Sequence, residues 1–214
     1  YDWYVCMDAA TGQTLWTAEF PEEAGVYYGP GGNIPDHKNG PMGNTPCYAQ
    51  GKLFGLGLSG YLRAMDAKTG KPLWKRKIAG NAASGRGNCN AVMFIGGVVL
   101  AGDHAGNVHA CDPETGNVLW KTPGDVVADP QRWTHGGRQY AIVKSSQPPK
   151  SVYRCLDPKT GKELWKLAGT FHNYVFFGIG GDTMALVESG GDPAAKDPAC
   201  LLYTSPSPRD RQKS

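Results

Sequence analysis

Asp66-Ala-Lys-Thr-Gly70-Lys-Pro-Leu-Trp74 is one of four copies of a single phrase, and its reading decides the fold. The others are Asp8-Ala-Ala-Thr-Gly12-Gln-Thr-Leu-Trp16, Asp112-Pro-Glu-Thr-Gly116-Asn-Val-Leu-Trp120 and Asp157-Pro-Lys-Thr-Gly161-Lys-Glu-Leu-Trp165. Successive Asp residues are 58, 46 and 45 positions apart, a period that marks a repeat architecture. The phrase reads as a tight hairpin. Asp accepts backbone N–H groups just ahead of it, and Pro113 or Pro158 fixes φ for a type I turn. Gly takes positive φ where the chain rejoins the ladder as a bulge, and the Thr hydroxyl closes the same turn. The Trp is expected between neighbouring sheets, where it removes roughly 150–250 Å² from water. The four Asp, Gly and Trp are therefore read as structural docking residues rather than catalytic ones.

The flanks agree. Tyr61–Asp66, Asn107–Asp112 and Ser151–Asp157 read as short strands entering the turn, and Pro72–Ile78, Asn117–Thr122 and Lys162–Leu167 as strands leaving it. Upstream of each lies another pair: Asn44–Tyr48 with Lys52–Leu58, Ala91–Ile95 with Val98–Gly102, and Arg132–Thr134 with Tyr140–Lys144, the last followed by a longer Pro148-Pro149 loop. Four strands per ~45-residue repeat is the content of one propeller blade. The fold class expected is all-β, with four-stranded antiparallel blades ending near residues 20, 78, 122 and 167 and a partial blade over 170–190.

On these residues the chain resembles the pyrroloquinoline-quinone-like β-propeller repeat family, whose repeat ends in Ala-x-Asp-x-x-Thr-Gly-x-x-x-Trp. Ala64/Asp66 and Ala110/Asp112 match it fully, while Cys6 and Cys155 take the Ala place in the other two units. The resemblance covers roughly residues 1 to 190. It implies a ring of about six to eight blades, of which this chain would be a part, since Tyr1 already falls within a strand. It also implies an extracytoplasmic, periplasmic location. The family includes outer-membrane assembly lipoproteins and quinone-dependent dehydrogenases, so the fold alone does not name the activity.

Composition fits this reading. The 214 residues include 30 Gly and 16 Pro, as many turns require. No apolar run approaches the ~20 residues that span a bilayer. A fifth docking phrase is due near residue 202, but the chain reads Cys200-Leu-Leu-Tyr-Thr-Ser-Pro-Ser-Pro-Arg-Asp210. That string is what a sequencing-library transposon end and adapter would encode. Residues 1–199 are accordingly expected to be the propeller portion and 200–214 a non-native tail. Without the tail the formal net charge falls from +3 to +1, which offers no electrostatic footprint for nucleic acid. Cys6, Cys111 and Cys155 fall in the strand before the Asp and read as small buried hydrophobes; Cys47 and Cys89 are not expected to pair. Zinc and haem spacings are absent from the sequence.

Function in propellers concentrates on loops where several blades converge. The connection Pro21–Asn44 is the longest, and its Tyr28, Asp36, His37, Lys38 and Asn39 can hold a ligand or shape a partner surface. Arg86 and Asn88 occupy the equivalent loop one blade on. Asp103-His104 and His109 flank the turn Ala105-Gly106 and are read, with the other histidines, as turn and surface residues; no metal site is expected. The family's dehydrogenases are expected to carry adjacent cysteines and calcium-binding carboxylates, and no adjacent cysteine pair occurs in this sequence. The first expectation is a non-enzymatic module that binds protein or a small ligand through its loops, with no catalytic residue and no cofactor. The alternative is part of a quinone-dependent alcohol or sugar dehydrogenase, which would use pyrroloquinoline quinone and calcium.

Overall fold

The computed structural model describes residues 2–20, 45–57, 60–78, 91–103, 105–124, 129–147, 150–168, 175–188 and 201–204. The described residues are all strand and turn. β1 (Asp2–Met7) and β2 (Thr14–Phe20) pair as a two-stranded sheet. Three four-stranded meanders follow. The second blade holds β3 (Cys47–Ala49), β4 (Lys52–Leu56), β5 (Tyr61–Asp66) and β6 (Pro72–Lys77). The third holds β7 (Met93–Ile95), β8 (Val98–Gly102), β9 (Asn107–Cys111) and β10 (Val118–Pro123). The fourth holds β11 (Gln131–His135), β12 (Arg138–Gln147), β13 (Lys150–Leu156) and β14 (Glu163–Ala168). A fifth sheet contains β15 (Val175–Gly180), β16 (Thr183–Glu188) and β17 (Leu201–Thr204). All neighbours are antiparallel.

The first strands of successive blades touch one another, β3 with β7, β7 with β11 and β11 with β15. They form the inner wall of a partial β-propeller, with the fourth strands at the rim. The core lies between blades. Phe54, Leu56, Leu62 and Ala64 of the second blade pack on Val99, Ala101 and Cys111 of the third. The opposite face of the third, including Leu100, Val108 and Ala110, packs on Ala141, Val143 and Leu156 of the fourth. Ile142, Tyr153 and Cys155 then meet Met184 and Ile179 of the fifth sheet. The central strands of the three four-stranded blades are thus buried on both faces and largely apolar, the pattern of a sheet covered from two sides.

Two expectations change. The connection at Pro148-Pro149 is not a long loop, because Ser145–Gln147 and Lys150–Val152 continue the ladder to its end. The ladder irregularity does not fall on the docking glycine either. Gly12, Gly70, Gly116 and Gly161 have φ between 70° and 72°, but the bulged residue is the Leu before each Trp. Met65 faces Pro72 and Ala64 faces Trp74, leaving Leu73 unpaired between them; Leu15, Leu119 and Leu164 are skipped in the same way. A one-residue slip moves a side chain to the other face of its sheet. The bulge therefore turns the Trp toward the following blade and leaves the Leu at the rim, 41–63% exposed. Ala64, Ala110, Cys6 and Cys155 stand directly opposite the four Trp, where a small side chain leaves room for the indole.

Leu201–Thr204 pairs with β16 as a third strand. Any β-prone apolar segment that reaches the open edge of β16 satisfies its backbone groups there, so this pairing does not bear on the origin of residues 200–214.

Candidate functional site

Each docking turn is closed by the same bonds. The Gly N–H donates to the Asp carbonyl at 2.8–2.9 Å, and the Asp N–H donates to the carbonyl five residues on at 2.8–2.9 Å. One carboxylate oxygen of Asp66 accepts the Lys68 N–H, the Thr69 N–H and the Thr69 hydroxyl at 3.1, 2.9 and 2.8 Å. Asp8 and Asp112 accept the same three. These donors hold the carboxyls of Asp8, Asp66 and Asp112 below the ordinary range, led by the Thr hydroxyl in the first two and by the Thr115 N–H in the third. Burial pushes Asp157 upward, but bonds from Thr160 and Lys159 and the charge of Arg138 outweigh it and leave its carboxyl low.

The Trp then reaches across the seam. The indole N–H of Trp16 donates to the Ala67 carbonyl at 3.0 Å, that of Trp74 to Pro113 at 3.0 Å and that of Trp120 to Pro158 at 2.9 Å. Each ring lies on the glycine of the next turn. A Cβ on Gly116 would stand 2.6 Å from the Trp74 ring. The seam after the fourth blade is built differently: Trp133 on β11 donates to the Gly181 carbonyl at 2.9 Å, and His135 Nδ1 meets Asp182 at 2.6 Å. Trp165, the fourth docking Trp, packs at the edge of the core shared by the fourth and fifth sheets.

In an antiparallel meander the 1–2 and 3–4 turns share one end of the blade. The 2–3 turns and the blade-to-blade loops share the other. The docking turns therefore occupy one face of the propeller, and the loops proposed from sequence leave from the opposite face. Tyr28, Asp36, His37, Lys38, Asn39, Arg86 and Asn88 themselves lie outside the described residues, as do His104 and Cys89.

What the described residues show beneath that loop face is a set of buried and half-buried polar side chains that differ from blade to blade. One register position, three residues before the docking Asp on strand three, holds Val5, Arg63, His109 and Arg154 in turn. His109 is 4% exposed and corrects its reading as a surface or turn residue. Its Nε2 lies 2.7 Å from an Asp103 carboxylate oxygen, and Asp103 also accepts the Asn107 N–H and side-chain amide at 2.8 and 3.0 Å. Burial drives the Asp103 carboxyl up, yet His109 and Asn107 together bring it below its ordinary value. Arg154 donates to the Thr122 hydroxyl at 2.7 Å and to the Pro123 carbonyl across the third seam. Arg63 rests 4.3 Å from the Phe20 ring of the first blade and donates to the Tyr61 carbonyl at 3.5 Å.

Nearer the axis, Asp129 accepts the Ala91 N–H at 2.6 Å. It ties the start of β11 to the start of β7, just after the loop carrying Arg86 and Asn88. Burial raises the Asp129 carboxyl above its ordinary value despite that bond, so this acid, just before β11, resists ionisation more than any docking Asp. Asp129, Arg63 and Arg154 were not singled out in the sequence, and His109 was read there only as a turn or surface residue. The available signal was a polar residue inside an otherwise apolar strand. Cys111 and Cys155 are buried, free and pushed up to about 12 by burial, so neither is a nucleophile; Cys6 and Cys47 are also free but only half-buried. Among the described residues no three His, Cys, Asp or Glu side chains gather where they could hold a metal ion.

Comparison with known proteins fits this geometry. The family model described as "Outer membrane protein assembly factor BamB" matches residues 1–138. The chain belongs to that family. Curated relatives of this propeller family include the outer membrane protein assembly factor BamB of Nitrosomonas eutropha, 33% identical over 126 residues that make up 56% of this chain and 26% of that protein. They also include the dehydrogenase subunit of a quinone alcohol dehydrogenase from Acetobacter aceti, 35% identical over 127 residues, 54% of this chain and 16% of that protein. Among solved structures, the quinohemoprotein alcohol dehydrogenase of Comamonas testosteroni superposes with a TM-score of 0.58 at 17% identity, over 86% of this chain and 36% of that one; this likeness concerns the fold. The chain spans about a quarter or less of the length of these two curated relatives.

Proposed function

We propose that this BamB-family propeller portion is a non-enzymatic binding scaffold that works outside the cytoplasm. It engages a protein or small ligand through the face opposite the docking turns. Tyr28, Asp36, His37, Lys38, Asn39, Arg86 and Asn88 are the contact residues proposed. The observation that carries this reading is the match of residues 1–138 to the assembly-factor family. It is supported by how the described polar groups are used: the docking Asp and Trp close turns and seams, and the chemistry that varies between blades lies under the other face. No helix among the described residues is long and apolar enough to cross a membrane. The test is replacement of His37, Lys38 and Arg86 by Ala in the full-length gene, with outer-membrane protein levels and partner cross-linking as readouts. A fall in both with unchanged protein abundance is expected. Wild-type behaviour in both would sink the scaffold reading.

A second reading is favoured by the match to the Acetobacter aceti dehydrogenase subunit. Under it, the chain is part of a quinone-dependent alcohol or sugar dehydrogenase. The quinone would take up the electrons of the substrate, with calcium beside it. Among the described residues no three His, Cys, Asp or Glu side chains gather, so carboxylate ligands for calcium would come from elsewhere in the protein. Reduction of a dye by alcohols or sugars, dependent on added quinone and calcium, is the outcome that would favour this reading over the first.

A further inference from the structure

The rim strands β2, β6, β10 and β14 each stand last in their sheets. The outer side of a last strand is a row of N–H and C=O groups, a template for one more strand. Proteins guard such an edge with Lys and Pro. A charge resists losing its water when another chain pairs beside it, and a proline has no N–H to give. Three of the four rims here are guarded in that way. The residue after the docking Trp is Lys75, Lys121 and Lys166 in the second, third and fourth blades, exposed each time. β6 also starts on Pro72, and β10 ends on Pro123.

The first blade departs from the pattern. There the residue after Trp16 is Thr17, and Thr14–Phe20 contains no Lys, Arg or Pro. β2 is also the longest of the four rim strands, seven residues against six in each of the others. Beyond the bulge at Leu15, residues 16–20 keep five successive partners on β1 without a slip, which gives about 17 Å of regular edge. No described residue pairs with the outer side of β2. Glu19 is its one charged side chain, and it is exposed. An edge that is long, regular and free of cations is the kind that accepts a strand.

We propose that the rim edge of β2 takes one further strand, an extended segment of a partner protein that pairs backbone to backbone with residues 16–20 and sets a Lys or Arg against Glu19. Backbone pairing supplies the affinity, and the side chains select the segment. Opposite charges on neighbouring strands attract and like charges repel. A second copy of this chain is the poorer occupant, because its β2 brings another Glu19 and no cation. The rim is not the loop face, so the proposal does not depend on the scaffold reading.

The experiment titrates a dansyl-labelled synthetic peptide, Thr-Val-Lys-Val-Thr-amide, with the 214-residue chain and follows fluorescence anisotropy. Saturable binding below about 1 mM is expected, and a peptide with Glu in place of its Lys should bind about tenfold more weakly. Thr17→Lys gives the first rim the residue that the other three carry. It should keep the far-ultraviolet dichroism spectrum and weaken binding about tenfold. Glu19→Lys should reverse the preference in favour of the Glu peptide, whereas Lys121→Ala should leave affinity within about twofold. On saturation, amide hydrogen exchange should slow within residues 16–20. The proposal is overturned if the peptide does not saturate, if Thr17→Lys binds it as wild type does, or if protection falls instead on Asp2–Met7, the other strand of that sheet. It is equally overturned if sedimentation shows a dimer that Thr17→Lys dissolves and the peptide does not.

Discussion

The two ends of each blade are built on opposite rules. At the docking end, four turns share one set of residues and one pair of closing backbone bonds, and at three successive seams the indole reaches the next blade in the same way. At the loop end, the equivalent positions hold Gly57 with Arg63, Asp103 with His109, and Arg154 with acceptors borrowed from the preceding blade. A bond that forms identically at successive seams constrains sequence to repetition. A site that must recognise one ligand or one partner gains nothing from being copied. The uniform end therefore reports how the propeller is held together, and the varied end is where its individuality is stored.

The largest effect that could break this contrast is at the indole. Trp74→Ala should destabilise the protein by about 3 kcal/mol, through lost burial and a lost bond to Pro113, measured by urea unfolding. Leu73→Ala, at the exposed bulge next door, should stay within about 0.5 kcal/mol; equal losses would mean that docking is not the work of the Trp. Next comes Gly116→Ala, expected to lose about 2–3 kcal/mol from left-handed strain and collision with the Trp74 ring. Gly137→Ala has a similar positive φ with open space around it and should lose only about 1 kcal/mol, which separates strain from contact.

At the other end, Asp103→Asn should destabilise by roughly 1–2 kcal/mol and change the acid limb of the stability curve. The Asp103 carboxyl is depressed in the folded state. Its contribution is therefore fully present above the unfolded value of about 3.9 and is lost as pH falls through the lower folded value. Stability measured from pH 6 down to about 2 should fall less steeply in Asp103→Asn than in wild type. An unaltered slope would mean the Asp103–His109 contact carries no stability. A small effect is expected from Thr115→Val, about 1 kcal/mol or less, because the Asp112 carboxylate retains its two N–H donors. A loss as large as that of Trp74→Ala would show that the turn, rather than the indole, governs the seam.

Much of the docking end could be read directly. Asp, Thr and Gly act within a few residues of one another, and their bonds follow from local geometry. The Leu bulge was not legible, because it appears only when two strands are put in register and Trp74 is found opposite Ala64 rather than Arg63. His109 was misread for a related reason: nothing local distinguishes a histidine at a turn from one whose partner is six residues back and whose far side is covered by another blade. Asp129 likewise acquires meaning only through the Ala91 N–H, which another blade brings to it.

The sequence by itself determined that this protein is a series of four-stranded units joined through a repeated turn, since short-range hydrogen bonding and a fixed Trp spacing suffice to specify both. Only the tertiary structure decided which polar side chains are buried together and which face of the propeller they underlie. Those contacts join residues from different strands and different blades, and it is packing, not chain proximity, that sets their distances and charges.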